Sequence, residues 1–426
     1  MRLLICLLTC IFCSAASAAD ATWTPIHVGA WKGQQSAPGS YNLLGGLVHT
    51  EIDLAPVEGQ WIRLSATASP SAPDFSAWVQ VLDANDKVIS RVLPTLCELI
   101  GPRKRCHTVA WVRPGGARLR LAFYANAVPV EITPEVAEWA RARPATPQVL
   151  ANYLALRDTV RKRYFRSSSA DWTMSALERG ALDAPDGIDP APHALLTLVA
   201  SLPDNKHTQL IHDNQSAPAT MPLVLPTCSR RADGVWRLRM PQTPNKEAHH
   251  GLYIDAVREC IEKAPAAAWL VDLSEHQGGN TMLTFAALWP VLGSGPMMKY
   301  VYPDNNSVTL MLDSNSVTVG TAVYVIMSAQ PVRLKGSVRF LLGPHCMSAC
   351  ESVAIAVKGK FPTIGQPTGG YTSLNDTIRI NPQMQIALTV GMQADLSGKT
   401  YDTVLPDELL DDVQMAAALS DARGKR

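Results

Sequence analysis

The segment Phe340-Leu-Leu-Gly-Pro-His-Cys-Met-Ser-Ala-Cys-Glu351 places a serine where acyl-transfer chemistry would want one. An apolar strand ends at Leu342, a turn follows, and the pattern predicts a helix over 352–358. Ser348 therefore lies at or near a helix N-terminus, where free N–H groups and the positive end of the dipole suit an oxyanion. The same residues also suit a plain helix cap, with Glu351 three positions on completing a capping box. The G-x-S-x-G elbow of α/β-hydrolases is absent. A second segment, Asp272-Leu-Ser-Glu-His-Gln-Gly-Gly-Asn280, follows another buried strand. Gly278 and Gly279 let the backbone turn sharply and come close to a ligand, and their N–H groups suit the other half of an oxyanion hole. A third element is His207, in the polar turn Pro203-Asp204-Asn-Lys-His-Thr208. A serine nucleophile needs a base within reach, and histidine is the usual one. His212, His249, His250, His276 and His345 compete for that role. The His249-His250 pair has neither an H-E-x-x-H pattern nor a carboxylate cluster beside it, so no metal and no cofactor is expected.

These residues need a frame. Residues 20–130 read as all-β: alternating runs such as Trp61–Ser65 and Ala117–Phe123 are separated by Gly, Pro, Asn and Asp, the pattern of a small sandwich. Exposed tryptophans from Trp23, Trp31, Trp61 and Trp78 on one face would mark that sandwich as a glycan binder. Residues 131–206 read as helical, with Val149, Leu150, Tyr153, Leu154, Val160 and Tyr164 at helical spacing, a further helix opening at Asp171-Trp172, and an apolar helix over 194–202. From 207 to 426 strands and helices alternate. Strands are expected over 234–240, 269–273, 322–327 and 338–342, and helices over 256–263, 282–292 and 352–358. That alternation argues for an α/β core with helices packed on a sheet.

Composition narrows the class. The chain has 426 residues, 47% hydrophobic and 18% charged, enough for two or three domains with cores and too apolar for disorder. A formal charge of +1 gives no basic field for nucleic acid. Arg2, the apolar run Leu3–Cys13 and the small residues Ser14–Ala19 read as a signal peptide cut near Ala18 or Ala19; an uncut N-terminal anchor is the alternative. No later stretch is long and apolar enough to span a bilayer. Outside the leader six cysteines remain, an even number that in an exported protein suggests disulfides. Proximity pairs Cys97 with Cys106, Cys228 with Cys260, and Cys346 with Cys350.

The three chemical segments, in this order, resemble the S41 family of serine peptidases, which includes the tail-specific proteases, the tricorn core and the nisin-resistance protein. The resemblance covers roughly residues 147–410. Its D-x-H-like turn is Asp204-Asn-Lys-His207-Thr208 and its D-L-R-x-N-x-G-G-like segment is Asp272–Gly279. The nucleophile turn is Ser348-Ala349-Cys350-Glu351, followed by Gly365-Gln-Pro-Thr368-Gly-Gly370 and a late Pro406-Asp407. The resemblance implies a ClpP/crotonase-like catalytic core; it does not cover the N-terminal β-sandwich, which the alternating runs add, with the helical segment, to make a multidomain chain. It implies Ser348 as nucleophile. Tail-specific proteases pair their serine with a Lys that would fall near Gly370, where none stands. The nisin-resistance and tricorn branches use a histidine that maps onto His207. A Ser348/His207 dyad follows, with oxyanion donors at Ala349 and at Gly278 or Gly279, and a substrate groove along Asn280, Thr281 and Met282. No third member to orient His207 is evident. Two departures stand out: the Arg and Asn of the D-L-R-x-N pattern are Ser274 and His276 here. The expected activity is hydrolysis of a peptide or protein tail outside the cytoplasm. The rival is a binding or scaffolding protein of the cell envelope whose peptidase site has decayed.

Overall fold

The computed structural model describes residues 23–43, 47–72, 75–90, 95–125, 129–203, 205–212, 223–244, 246–304, 306–326, 332–382 and 384–420. The expected leader and Asp204 lie outside these. The chain divides into two compact units: the residues up to Leu154 with Met174–Leu198, and Ala155–Thr173 with Val199 onward.

The first unit is a β-sandwich. One sheet runs in the order Gln34–Ala37, Ser40–Leu43, Val130–Ala140, Trp61–Ala68, Arg103–Trp111 and Leu96–Ile100. The other has Leu47–Asp53, Arg118–Tyr124 and Ser76–Leu82. Alternate residues from both sheets (Ile62, Leu64 and Ala66 against Val79, Leu121 and Phe123) form its core. Two sequence expectations need correction here. Val130–Ala140 is a strand paired with Trp61–Ala68 rather than the start of the helical region, because its apolar residues Val130, Ile132 and Ala140 alternate with polar ones. The tryptophans do not share a face. Trp61 is fully buried with its Nε1 donating to the Asp183 carbonyl, and Trp31 packs on Phe123 in the core.

Helices follow at Pro147–Arg163, Ala176–Gly180 and Ala191–Ser201. The helix expected at Asp171 opens five residues later. Asp171 accepts from the Thr173 N–H in a local turn, and Ser175 caps the helix by accepting from Glu178.

The second unit holds two sheets. The six-stranded sheet has the order Thr227–Arg230, Trp236–Arg239, Trp269–Asp272, Val338–Leu342, Thr363–Gly365 and Glu408–Leu409. All of its pairings are parallel except the first. Helices cross over between its strands: His250–Lys263, then Thr281–Ala287 and Trp289–Leu292, then Ala349–Val357. The expected helix over 282–292 is interrupted at Leu288, where Pro290 sits in the first turn of the shorter piece. A seven-stranded antiparallel sheet is organised around Met384–Ala394. That strand pairs with Ser373–Asn381 on one side and with Gln209–His212 and then Gly295–Val301 on the other. One core joins residues of both sheets and the crossover helices, including Trp269, Phe285, Phe340 and Val353. All three expected cysteine pairs are disulfides.

This topology fixes where chemistry can occur. Trp269–Asp272 and Val338–Leu342 are adjacent parallel strands. The loops leaving their carboxyl ends must therefore emerge side by side. One of those loops carries Gly278 and Gly279 and the other carries Ser348.

Candidate active site

Ser348 precedes the helix Ala349–Val357, whose nine residues are all buried. Ser348 and Glu351 form the expected capping box, but the backbone at Ser348 differs from that of an ordinary cap. A cap residue takes extended dihedrals, as Ser175 (φ −71°, ψ 159°), Asn280 (φ −82°, ψ 107°) and Asp411 (φ −76°, ψ 175°) do in this chain. Ser348 sits at φ 55°, ψ −111°. Among the described residues Asp86 is the only other non-glycine with positive φ. Such a conformation costs about 1–3 kcal/mol and persists only where the surroundings impose it. Here they do. The Met347 N–H donates to the His276 carbonyl at 3.2 Å, and the Cys346 carbonyl accepts from the Gly369 N–H at 2.9 Å. The Cys346–Cys350 disulfide brackets the turn.

Glu351 is the hub of the site. It is fully buried and accepts four hydrogen bonds. Oε2 takes the N–H of Ser348 (3.1 Å) and of Tyr371 (2.6 Å); Oε1 takes the Thr368 hydroxyl (2.6 Å) and the Gly370 N–H (2.7 Å). Burial raises its pKa, and the four donors offset part of that rise. One carboxylate thus ties the Ser348 turn to the segment 368–371.

The glycine turn rests directly on the serine. Gly278 has φ 102°, and a Cβ there would lie 3.0 Å from the Ser348 Cβ and from the Met347 carbonyl oxygen. The turn is held by Thr243, whose N–H and Oγ1 both reach the Gly278 carbonyl (3.2 and 3.3 Å) and whose Oγ1 accepts from the Asn280 N–H (2.6 Å). The Gly278 N–H donates to His276 Nδ1 at 3.1 Å. Gly279 is exposed where Gly278 is buried. Asn280 uses its Oδ1 to cap the following helix at Leu283, while Thr281 and Met282 are half-buried at its start. Asp272, which opens the motif, is 2% exposed and pairs with Arg237 of the neighbouring strand at 2.6 Å. Its other oxygen accepts from the Ser274 N–H and hydroxyl. Arg237 and Ser274 thus satisfy the Asp272 carboxylate where the family pattern would place an Arg.

His207 ends a single helical turn, Asn205–His207, just before the strand Gln209–His212. Its Nδ1 lies 2.9 Å from Ser373 Oγ, its carbonyl accepts from Asn375 Nδ2 at 2.6 Å, and its ring meets Tyr371 edge-on at 5.4 Å. Desolvation lowers its pKa, the backbone of Ser373 acts to raise it, and Lys206 adds a smaller lowering. The ring is therefore neutral at pH 7 and carries a lone pair for proton abstraction. It lines a cavity of about 270 Å³ with Tyr164, Lys206, Gly370, Ser373 and Met392. Sequence reasoning missed Ser373, whose only signal is a small hydroxyl residue three positions past Gly370.

Ser348 and His207 share no hydrogen bond. Both are fixed to the same stretch of chain: Ser348 through Glu351 to Gly370 and Tyr371, and His207 to Ser373. A second tie runs from the helix Ala349–Val357, where the Ser352 hydroxyl donates to Gln393 Oε1 (2.8 Å) and Gln393 Nε2 donates to the Ser373 carbonyl (3.3 Å). Nucleophile–base contacts are commonly long in free enzymes and tighten when substrate binds. The late Pro406-Asp407 serves the sheet instead, because Asp407 accepts from the Thr363 N–H and hydroxyl and so anchors the strand Thr363–Gly365.

Residues 238–410 match the model of peptidase family S41. The span contains Ser348, both glycines, Glu351 and Ser373 and stops short of His207. No curated protein matches the sequence. Among solved structures, a lipoprotein from Streptococcus agalactiae is similar over 64% of this chain and 96% of its own, at 17% identity and a TM-score of 0.51. The photosystem II D1 C-terminal processing protease matches over 51% of this chain and 53% of its own (14% identity, TM-score 0.34). Mature CPAF matches over 43% and 49% (12% identity, TM-score 0.32). The chain thus spans about half the length of these two proteases. The first likeness shows a shared fold.

Proposed function

We propose that this chain, whose residues 238–410 match the model of peptidase family S41, is an exported serine peptidase cleaving peptides or protein tails through Ser348 and His207. Neutral His207 takes the Ser348 hydroxyl proton as Oγ attacks the scissile carbonyl carbon. The carbonyl π pair moves onto oxygen, and the N–H groups of Ala349 and Gly279 receive that oxyanion. The C–N bond then breaks, the imidazolium returns its proton to the leaving amine, and an acyl-Ser348 ester remains. Water, deprotonated by the same imidazole, attacks the ester and restores Ser348. Ser373 holds the His207 ring by Nδ1, which directs the other nitrogen to the proton in flight. Asn280–Met282 border the substrate path.

The observation that carries this reading is the φ of 55° at Ser348, on a strand-to-helix turn in contact with Gly278. Ser348 closes its capping box from this conformation instead of the extended one of an ordinary cap, which fits a nucleophile lifted out of its turn. Export rests on the leader-like first residues and on three disulfides, which persist in oxidising compartments. The test is digestion of a diverse peptide mixture by the oxidised mature chain beside Ser348→Ala, read by mass spectrometry. Cuts made by the wild type and absent from the variant are expected. Identical patterns from both proteins, or no cuts from a folded wild type, would refute the proposal.

A further inference from the structure

One buried imidazole at the site has no part in the mechanism above. His276 is fully buried in the turn that leads to the glycines. Its Nδ1 accepts the Gly278 N–H at 3.1 Å and its carbonyl accepts the Met347 N–H at 3.2 Å. An accepting Nδ1 puts the proton of the neutral ring on Nε2, and Nε2 has no partner among the described residues. An unpaired N–H in a dry interior is unfavourable, because it gives up its bond to water and gains none. An apolar side chain of similar volume would avoid that cost, but it would lack the acceptor at Nδ1. The imidazole is therefore explained by what Nδ1 does. With Thr243 fixing the Gly278 carbonyl, His276 fixes the Gly278 N–H, so both polar groups of the glycine that touches Ser348 are committed.

We infer that His276 is a positioning residue of the oxyanion turn. By drawing the Gly278 N–H inward it locks the turn against the nucleophile and leaves the N–H of the exposed Gly279 as the donor offered to substrate. The inference deepens the peptidase reading and rests on it. It also explains the departure from the family pattern. The Asn usual at this position would carry its Oδ1 as many bonds from the backbone as His276 carries Nδ1, so either residue supplies the acceptor.

The test compares the full mature chain with His276→Asn and His276→Leu. Amide exchange at Gly278 and the nitrogen-15 signature of the imidazole report on the latch whether or not the protein turns over. In the wild type a protected Gly278 amide and an Nε2–H tautomer are expected. His276→Asn keeps the protection and most of the activity. His276→Leu loses the protection and lowers kcat by about 10²-fold, as loss of an oxyanion donor does, with KM held within about threefold. A peptide aldehyde, whose adduct mimics the oxyanion, weakens by the same factor, while thermal stability is kept. Full kcat or a still-protected Gly278 in His276→Leu would overturn the inference, as would an Asn variant as impaired as the Leu variant. A wild type that cleaves nothing would sink the peptidase reading and leave the exchange data to judge the latch.

Discussion

Replacing Glu351 with Gln probes the hub with a change of one atom. The carboxylate accepts from Ser348, Thr368, Gly370 and Tyr371, and a carboxamide has only one oxygen to offer. If its nitrogen takes the place of Oε2, the N–H groups of Ser348 and Tyr371 both face a donor. If it takes the place of Oε1, the Thr368 hydroxyl, which already accepts from the Val404 N–H, accepts a second time; the Gly370 N–H then faces a donor and the Thr368 hydrogen loses its acceptor. The second arrangement is favoured because a hydroxyl hydrogen can rotate where an N–H cannot, and its cost is at least one buried unsatisfied donor, about 1–3 kcal/mol. Relief from burying a charge holds the figure toward the lower end. For a unit of this size that is a fall in Tm of about 2–10 °C. Ser348 keeps its restraint while Gly370 loses its own, so the damage falls on the segment that carries Ser373 and hence His207. A misplaced base at the cost of one hydrogen bond, about 1.4 kcal/mol, lowers kcat about tenfold. Glu351→Ala loses all four acceptors and is expected to fall much further in both measures. The assays are cleavage of a fluorogenic peptide chosen from the mixture digest, beside a thermal melt. Wild-type kcat and Tm in Glu351→Gln would refute the claim that this carboxylate couples the two halves of the site.

Two further outcomes are expected. Ser373→Ala removes the partner of His207 Nδ1; the loss of one hydrogen bond, about 0.5–1.5 kcal/mol, lowers kcat about two- to tenfold. Unchanged kcat in Ser373→Ala would show that the Ser373 hydroxyl does not orient the base. Stability should fall as pH drops below 6.5. His193 is held down to about 3 and His276 to about 4, both by burial. Below 6.5 the unfolded chain binds protons at these positions that the native chain refuses. Each group then removes about 1.4 kcal/mol per pH unit until its native pKa is reached. Glu351, raised by burial, works in the opposite sense, since its native form keeps a proton that the unfolded chain has released. Two histidines against one carboxylate leave a net acid destabilisation, measured by urea melts from pH 7 to 4. A flat or rising curve would contradict it.

How much of the site was readable in sequence depended on distance along the chain. The Ser348 turn and the two glycines follow short apolar strands with turn residues at their ends, and adjacent parallel pairing brings the two loops together by necessity. Their local order was therefore legible. The partner of His207 was not, because Ser373 is 166 residues away and reaches it only through the shared strand Met384–Ala394, a pairing that no periodicity announces. The role of Glu351 was half legible. Its spacing from Ser348 gave the cap, but the bonds to Gly370 and Tyr371 depend on the return of the chain after Thr363–Gly365. At Val130–Ala140 the expected helical region gave way to a strand, since a vacancy beside Trp61–Ala68 rewarded the alternation of its apolar residues more than any helical stripe. At Asp171 a capping residue was present without a helix to cap, because its side chain closed a local turn instead.

The helix behind Ser348 has no solvent face, and this shapes how the protein can diverge. Every residue from Ala349 to Val357 is buried, so none of these positions is free to drift, and a change at any of them disturbs the nucleophile. On the proposed peptidase reading, new specificities would arise at the rim, along the half-exposed Asn280–Met282 and the segment around Tyr371, where side chains remain partly open to solvent. Laboratory evolution for altered cleavage is best aimed at those two stretches, with the nucleophile helix left untouched as the invariant part of the machine.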